Sequence, residues 1–123
     1  MQSYFIYSAF GWLVFSGTLH FIIDVVSQHL RGKHVPGVET TLYYGLHTAF
    51  ALGQVVFGIL GLYIATRAMH LIVEIPVLLL CLLAGSGWLA LTFLFMEYWE
   101  PKVAVSVFCV LILAVLVVRS TCC

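Results

Sequence analysis

Four stretches of the chain run without an Asp, Glu, Lys or Arg: residues 1–23, 40–66, 75–96 and 103–118. About 20 helical residues, rising about 1.5 Å each, cross the roughly 30 Å of a bilayer's hydrocarbon. The first three stretches meet that length. The fourth is short, and Lys102 and Arg119 at its ends can lengthen it by reaching to the interfaces. The pattern predicts an all-α integral membrane protein, an antiparallel up-down four-helix bundle. Its helices are expected at about 3–27, 40–67, 72–98 and 102–120, in one transmembrane domain covering 1–123. Runs this long do not fit the alternating strands, about ten residues each, of an outer-membrane barrel.

The connectors are short. Gly32, Pro36 and Gly37 break helical continuity in the loop 27–39. Residues 67–74 read as a turn or as the overlap of two long helices. Residues 97–102, Glu-Tyr-Trp-Glu-Pro-Lys, read as a tight turn at an interface. Tyr98 and Trp99 there, like Tyr43 and Tyr44, suit the headgroup belt. No Lys or Arg precedes Arg31, which argues for a retained first helix rather than a cleaved signal. The larger turns on one side hold Arg31, Lys33 and Lys102, against Arg67 and Arg119 on the other. That difference of one charge leans towards a cytoplasmic 27–39 loop.

Polar residues inside apolar helices carry the information about function, because ionisable groups in hydrocarbon are costly and tend to face inwards and pair. On the first helix Ser16, His20, Asp24 and Ser27 share one stripe, and His20–Asp24 is an i, i+4 pair within hydrogen-bonding reach. A carboxylate there orients a neutral imidazole for metal binding or favours the protonated ring. On the second helix Thr40, Tyr44, His47, Ala51, Gln54, Gly58, Gly61 and Ala65 share a face of polar and small residues. Gly58 and Gly61 let another helix approach closely, either inside the bundle or across an oligomer seam. Counting from the shared loop, His20 and His47 both sit roughly 10 Å below the same surface, so His20, Asp24 and His47 can converge. Tyr44 lies nearer the headgroups and Gln54 deeper. The bland alternative makes these pairs interhelical glue, at about 0.6 kcal/mol per hydrogen bond on average.

On the third helix Glu74, Cys81, Gly85 and Thr92 share a stripe, with Glu74 expected as a cap before Pro76. The fourth helix, nearly all aliphatic, is expected to face lipid or a partner. Cys81 and Cys109 behave as small hydrophobes, and the terminal Cys122–Cys123 pair as a plain tail. Arg31 and Lys33 can touch anionic headgroups.

Composition narrows the classes. With 63% apolar and 8% charged residues and a formal net charge of zero, the chain is no soluble domain and no nucleic-acid binder. The expected setting is the lipid bilayer of a plasma or inner membrane. No nucleophile elbow, HExxH or phosphate loop is present, which leans away from an enzyme. The reading that follows is a non-catalytic protein acting by helix association, as an accessory subunit of a larger membrane complex or as a homo-oligomer. Three alternatives stand beside it. The layout resembles that of small multidrug-resistance transporters, which implies a proton-coupled carrier. Those proteins place a Glu near the middle of the first helix, whereas the nearest acid here is Asp24. His20 and His47 could instead hold haem b or a metal. The His20–Asp24 pair could serve an intramembrane enzyme acting on lipid or quinone.

Overall fold

The structure, a computed structural model, describes residues 2–32 and 36–121. Almost all of them lie in four helices: α1 (Gln2–Arg31), α2 (Val38–Ile72), α3 (Ile75–Phe95) and α4 (Glu100–Thr121). Each is long and apolar enough to cross a membrane, and no strand occurs among the described residues. Lys33 and the Cys122–Cys123 pair lie outside the described residues.

Local chemistry sets the helix ends. α1 stops at Gly32, whose φ of 61° is left-handed and whose N–H bonds back to the His29 carbonyl at 3.2 Å. The segment 67–74 is mostly helix rather than turn. α2 runs on to Ile72 across a break at Ala68, where φ is −152° and ψ is 68°. Glu74 is the N-cap residue of α3, with Pro76 in the first turn, where a missing N–H costs no helical bond. α3 ends earlier than its apolar run, because Met96 turns extended at φ −121° and ψ 126°. The Trp99 carbonyl then accepts the Val103 N–H at 3.0 Å and opens α4.

α1 lies against both α2 and α4, and α4 also packs on α3. Along α1 and α2 the partners step in opposite directions: Tyr7 with Ala65, Phe10 with Gly61, Val14 with Gly58, Gly17 with Gln54, His20 with His47. The Gly58–Gly61 face is therefore bundle interior, filled by Phe10 and Val14 of the same chain. On the other side of α1, Trp12 Nε1 donates to the Ala104 carbonyl at 2.7 Å, and the Phe10 and Phe108 rings meet edge-on at 5.9 Å. Gly85 lets Cys109 and Phe108 of α4 lie close against α3.

The fourth helix, expected to face lipid or a partner, has an exposed apolar side and also a packed one. Val105, Phe108, Ile112 and Val115 of α4 are each 0% exposed and form a core stripe. Val103, Val110, Leu113 and Val117 take the outward side. In a bilayer both sides of such a helix are apolar, so hydropathy does not separate the packed face from the lipid face.

Candidate functional site

The site begins with a defect in α1. Residues Ile22–Val26 form a π turn, in which the Ser27 N–H reaches the Ile22 carbonyl. Single π turns inside α-helices recur at functional sites because they re-aim side chains. Asp24 is the one buried residue of this turn. It points back at His20, with Oδ2 accepting from the His20 Nδ1–H at 2.8 Å.

α2 supplies the second imidazole. His47 Nδ1 lies 2.9 Å from His20 Nε2, with the two rings stacked at 5.0 Å between centroids. Because Asp24 takes the His20 Nδ1–H, a neutral His20 presents Nε2 as an acceptor. The network thus assigns the donated proton to His47 Nδ1. The Tyr43 ring covers His47 at 4.2 Å, and the Phe50 ring sits 5.0 Å from His20.

The connector between α3 and α4 adds a fourth member that the sequence placed in the headgroup belt. The Tyr98 hydroxyl lies 3.3 Å from His47 Nδ1 and hydrogen-bonds the Asp24 carboxylate. Burial first, and the Asp24 charge second, push the Tyr98 phenol well above its usual value. It therefore keeps its proton and donates to Asp24, while its oxygen accepts from His47. Asp24, His20, His47 and Tyr98 close a hydrogen-bonded ring.

Of the residues singled out from the sequence, His20, Asp24 and His47 come together and all three are buried. Their donor atoms lie within 4.8 Å of one another. Tyr44 stands at the rim, edge-on to His29 at 5.9 Å and to Tyr43 at 5.5 Å. Arg31 is exposed at the end of α1. Gln54 is seven residues, about 10 Å, further along α2. It is 1% exposed, and its Nε2 has no hydrogen-bond partner among the described residues. An orphaned buried donor costs about 1–3 kcal/mol. Gln54→Met, similar in shape without the amide, is expected to raise stability by about 1 kcal/mol in denaturant titrations of reconstituted protein. A drop instead would show that the amide is satisfied in the folded protein.

The ligand chemistry is that of a nitrogen–oxygen site. Two imidazoles and a carboxylate suit zinc, ferrous iron or manganese, whereas soft cuprous sites call for thiolates. A carboxylate has about four lone-pair directions, so Asp24 can accept from His20 and Tyr98 and still offer one to an ion. Two ligands about 2.0–2.1 Å from a tetrahedral ion stand roughly 3.3 Å apart. The 2.9 Å between the imidazole nitrogens would have to widen by only a few tenths of an ångström. Haem does not fit this arrangement. Axial nitrogens on either side of an iron stand about 4 Å apart with a macrocycle between them, and these two face each other directly.

His20 also lines a cleft of about 320 Å³ between α1 and α4, walled by Trp12, Phe15, Leu19 and Trp99. Of the three donor residues, His20 alone borders it. Comparison with protein-family models, with curated proteins and with solved structures finds no match to this chain.

Proposed function

We propose that this small membrane protein holds a divalent transition-metal ion between its first two helices, with His20, His47 and Asp24 as ligands. The observation that carries the reading is the convergence of these three buried donors within 4.8 Å. Closed structural sites use four protein ligands, and sites that act on an incoming molecule use three and leave a position open. The donor set here is of the second kind, with three protein ligands. Two neutral imidazoles and one carboxylate leave a bound divalent ion with a net charge of about +1. The open position accordingly favours water, hydroxide or an anionic oxygen.

The other readings draw less support. One support of helix association, the Gly58–Gly61 face, is filled by Phe10 and Val14 from within the chain. A carrier needs a polar route across the bilayer. Past Ser16, α1 turns Leu13, Phe10 and Ile6 inwards, all at most 1% exposed, and among its described residues no further buried polar side chain follows towards Gln2.

The test is a titration of tag-free protein, stripped with chelator and held in detergent or nanodiscs, with Zn²⁺ and with Co²⁺. Saturation at about one ion per chain is expected, with Co²⁺ giving the visible bands of a low-coordinate nitrogen–oxygen site. Absence of saturable binding of either ion would sink the reading.

A further inference from the structure

We propose that Tyr98 is a positioning residue of this ion site: its hydroxyl holds Asp24 and its ring backs that of His47, keeping both in ligating orientation without binding the ion, and so couples the α3–α4 connector to ion binding. The inference rests on the metal reading above and names how that site is held.

Three observations carry it. First, Tyr98 touches two of the three donor residues: its hydroxyl bonds the Asp24 carboxylate, and its oxygen lies 3.3 Å from His47 Nδ1, a contact that nitrogen gives up on taking the ion. A carboxylate on a π turn has freedom to rotate, and two donors from different directions, His20 Nδ1–H and Tyr98 O–H, fix it. The Tyr98 ring also lies nearly parallel to that of His47, 13° between planes.

Second, the connector is built to present this side chain. From the extended Met96 onwards, side chains alternate sides. Met96 is buried and Tyr98 half-buried, while Glu97 and Trp99 are exposed. Met96 is packed with Phe50 and Val105 and Tyr98 lies against the same cluster, so the connector is pinned two residues before Tyr98 and cannot swing away without opening that cluster. The Phe50 that anchors Met96 is the residue whose ring stands 5.0 Å from His20.

Third, the topology gives the contact a consequence. His20, Asp24 and His47 all come from α1 and α2, whereas Tyr98 follows α3. α2 and α3 otherwise meet mainly where Trp88 packs on Phe57 and Gly53, deep in the bundle. Near the ion site, Tyr98 is a polar tie between the two helix pairs. An ion that orders Asp24 and His47 therefore orders the connector, and a connector held in place tightens the ion.

Partners that orient metal ligands are typically worth about 10–100-fold in affinity. In the titration above, Tyr98→Phe is expected to weaken Zn²⁺ by about that factor, keep about one ion per chain, and alter the intensity of the Co²⁺ bands as Asp24 loosens. Glu97→Gln, exposed on the same segment and away from the cleft, should match the wild type. A second measurement needs no variant. Hydrogen exchange at the amides of residues 96–99 should slow when Zn²⁺ is added, although no ligand lies there. Affinity within twofold of wild type in Tyr98→Phe, or unchanged exchange at 96–99, overturns the positioning role. So does a phenolate charge-transfer band with Cu²⁺ that vanishes in Tyr98→Phe, which would make Tyr98 a ligand. No binding by the wild type removes the ion site itself, a different outcome from binding that ignores Tyr98.

Discussion

Gly58→Ile is expected to leave no folded protein, rather than a folded protein with a weakened assembly. A β-carbon at position 58 would stand 2.9 Å from the Phe10 carbonyl oxygen and 3.1 Å from the Val14 amide nitrogen. It would also stand 2.7 Å from Val14 Cγ2. A rotamer change at Val14 relieves only the last of these. The first two are backbone atoms of α1, so α1 and α2 must move apart. Separation at this level also opens Phe10 against Gly61 on one side and Gly17 against Gln54 on the other. Overpacking a tight core by a methylene or two costs about 1–3 kcal/mol, and a branched side chain driven into backbone lies beyond that range. The same movement pulls His47 from His20, so residual material should bind no Zn²⁺. Gly11→Ala, where an added β-carbon meets nothing within 4 Å, is the control that should fold normally. Circular dichroism and denaturant titration read both. A Gly58→Ile protein that folds like wild type but loses an oligomer would return the association role to first place.

A close helix approach at Gly58 and Gly61 was legible in the sequence because small residues at helical spacing let backbones meet, but the letters did not say whether the partner was α1 or a second copy. His20 and Asp24 were legible as an i, i+4 pair, and His47 by counting depth from the shared loop. What escaped did so for physical reasons. Ile-Ile-Asp-Val-Val has the same hydropathy in an α turn as in a π turn, so nothing in the letters announces the widened turn that aims Asp24. The buried stripe of α4 was invisible because lipid and core are equally apolar. Tyr98 and Trp99 are adjacent amphipathic aromatics, each suited to an interface, and which of them turns inwards depends on where α3 stops. That is decided by Met96 finding the Phe50–Val105 cluster, a contact between residues far apart in the chain. Tyr43 and Tyr44 pose the same choice, and the helical register gives the His47 contact to Tyr43.

His47→Ala should remove Zn²⁺ binding to a degree no other single substitution in the cluster matches. His47 is 2% exposed, enclosed by His20, Tyr98 and the Tyr43 ring, so no outside ligand can replace its nitrogen without rebuilding the site. Losing a partner that merely orients a ligand costs about 10–100-fold, and losing the ligand itself should exceed about 100-fold. Asp24→Asn is the informative comparison. The amide oxygen can still accept the His20 Nδ1–H, but the charge that balances the ion is gone, which places its effect between those of Tyr98→Phe and His47→Ala. Stability measurements separate this account from simple helix glue. An ion present at about 100 times its dissociation constant stabilises the folded protein by about 2.7 kcal/mol. Wild type should therefore gain that much on adding Zn²⁺, and His47→Ala should gain nothing. If the cluster only glues α1 to α2, Zn²⁺ leaves both proteins unmoved. The substitution then costs the same with or without the ion, on the order of the 0.6 kcal/mol average for an intramembrane hydrogen bond plus the packing lost with the ring.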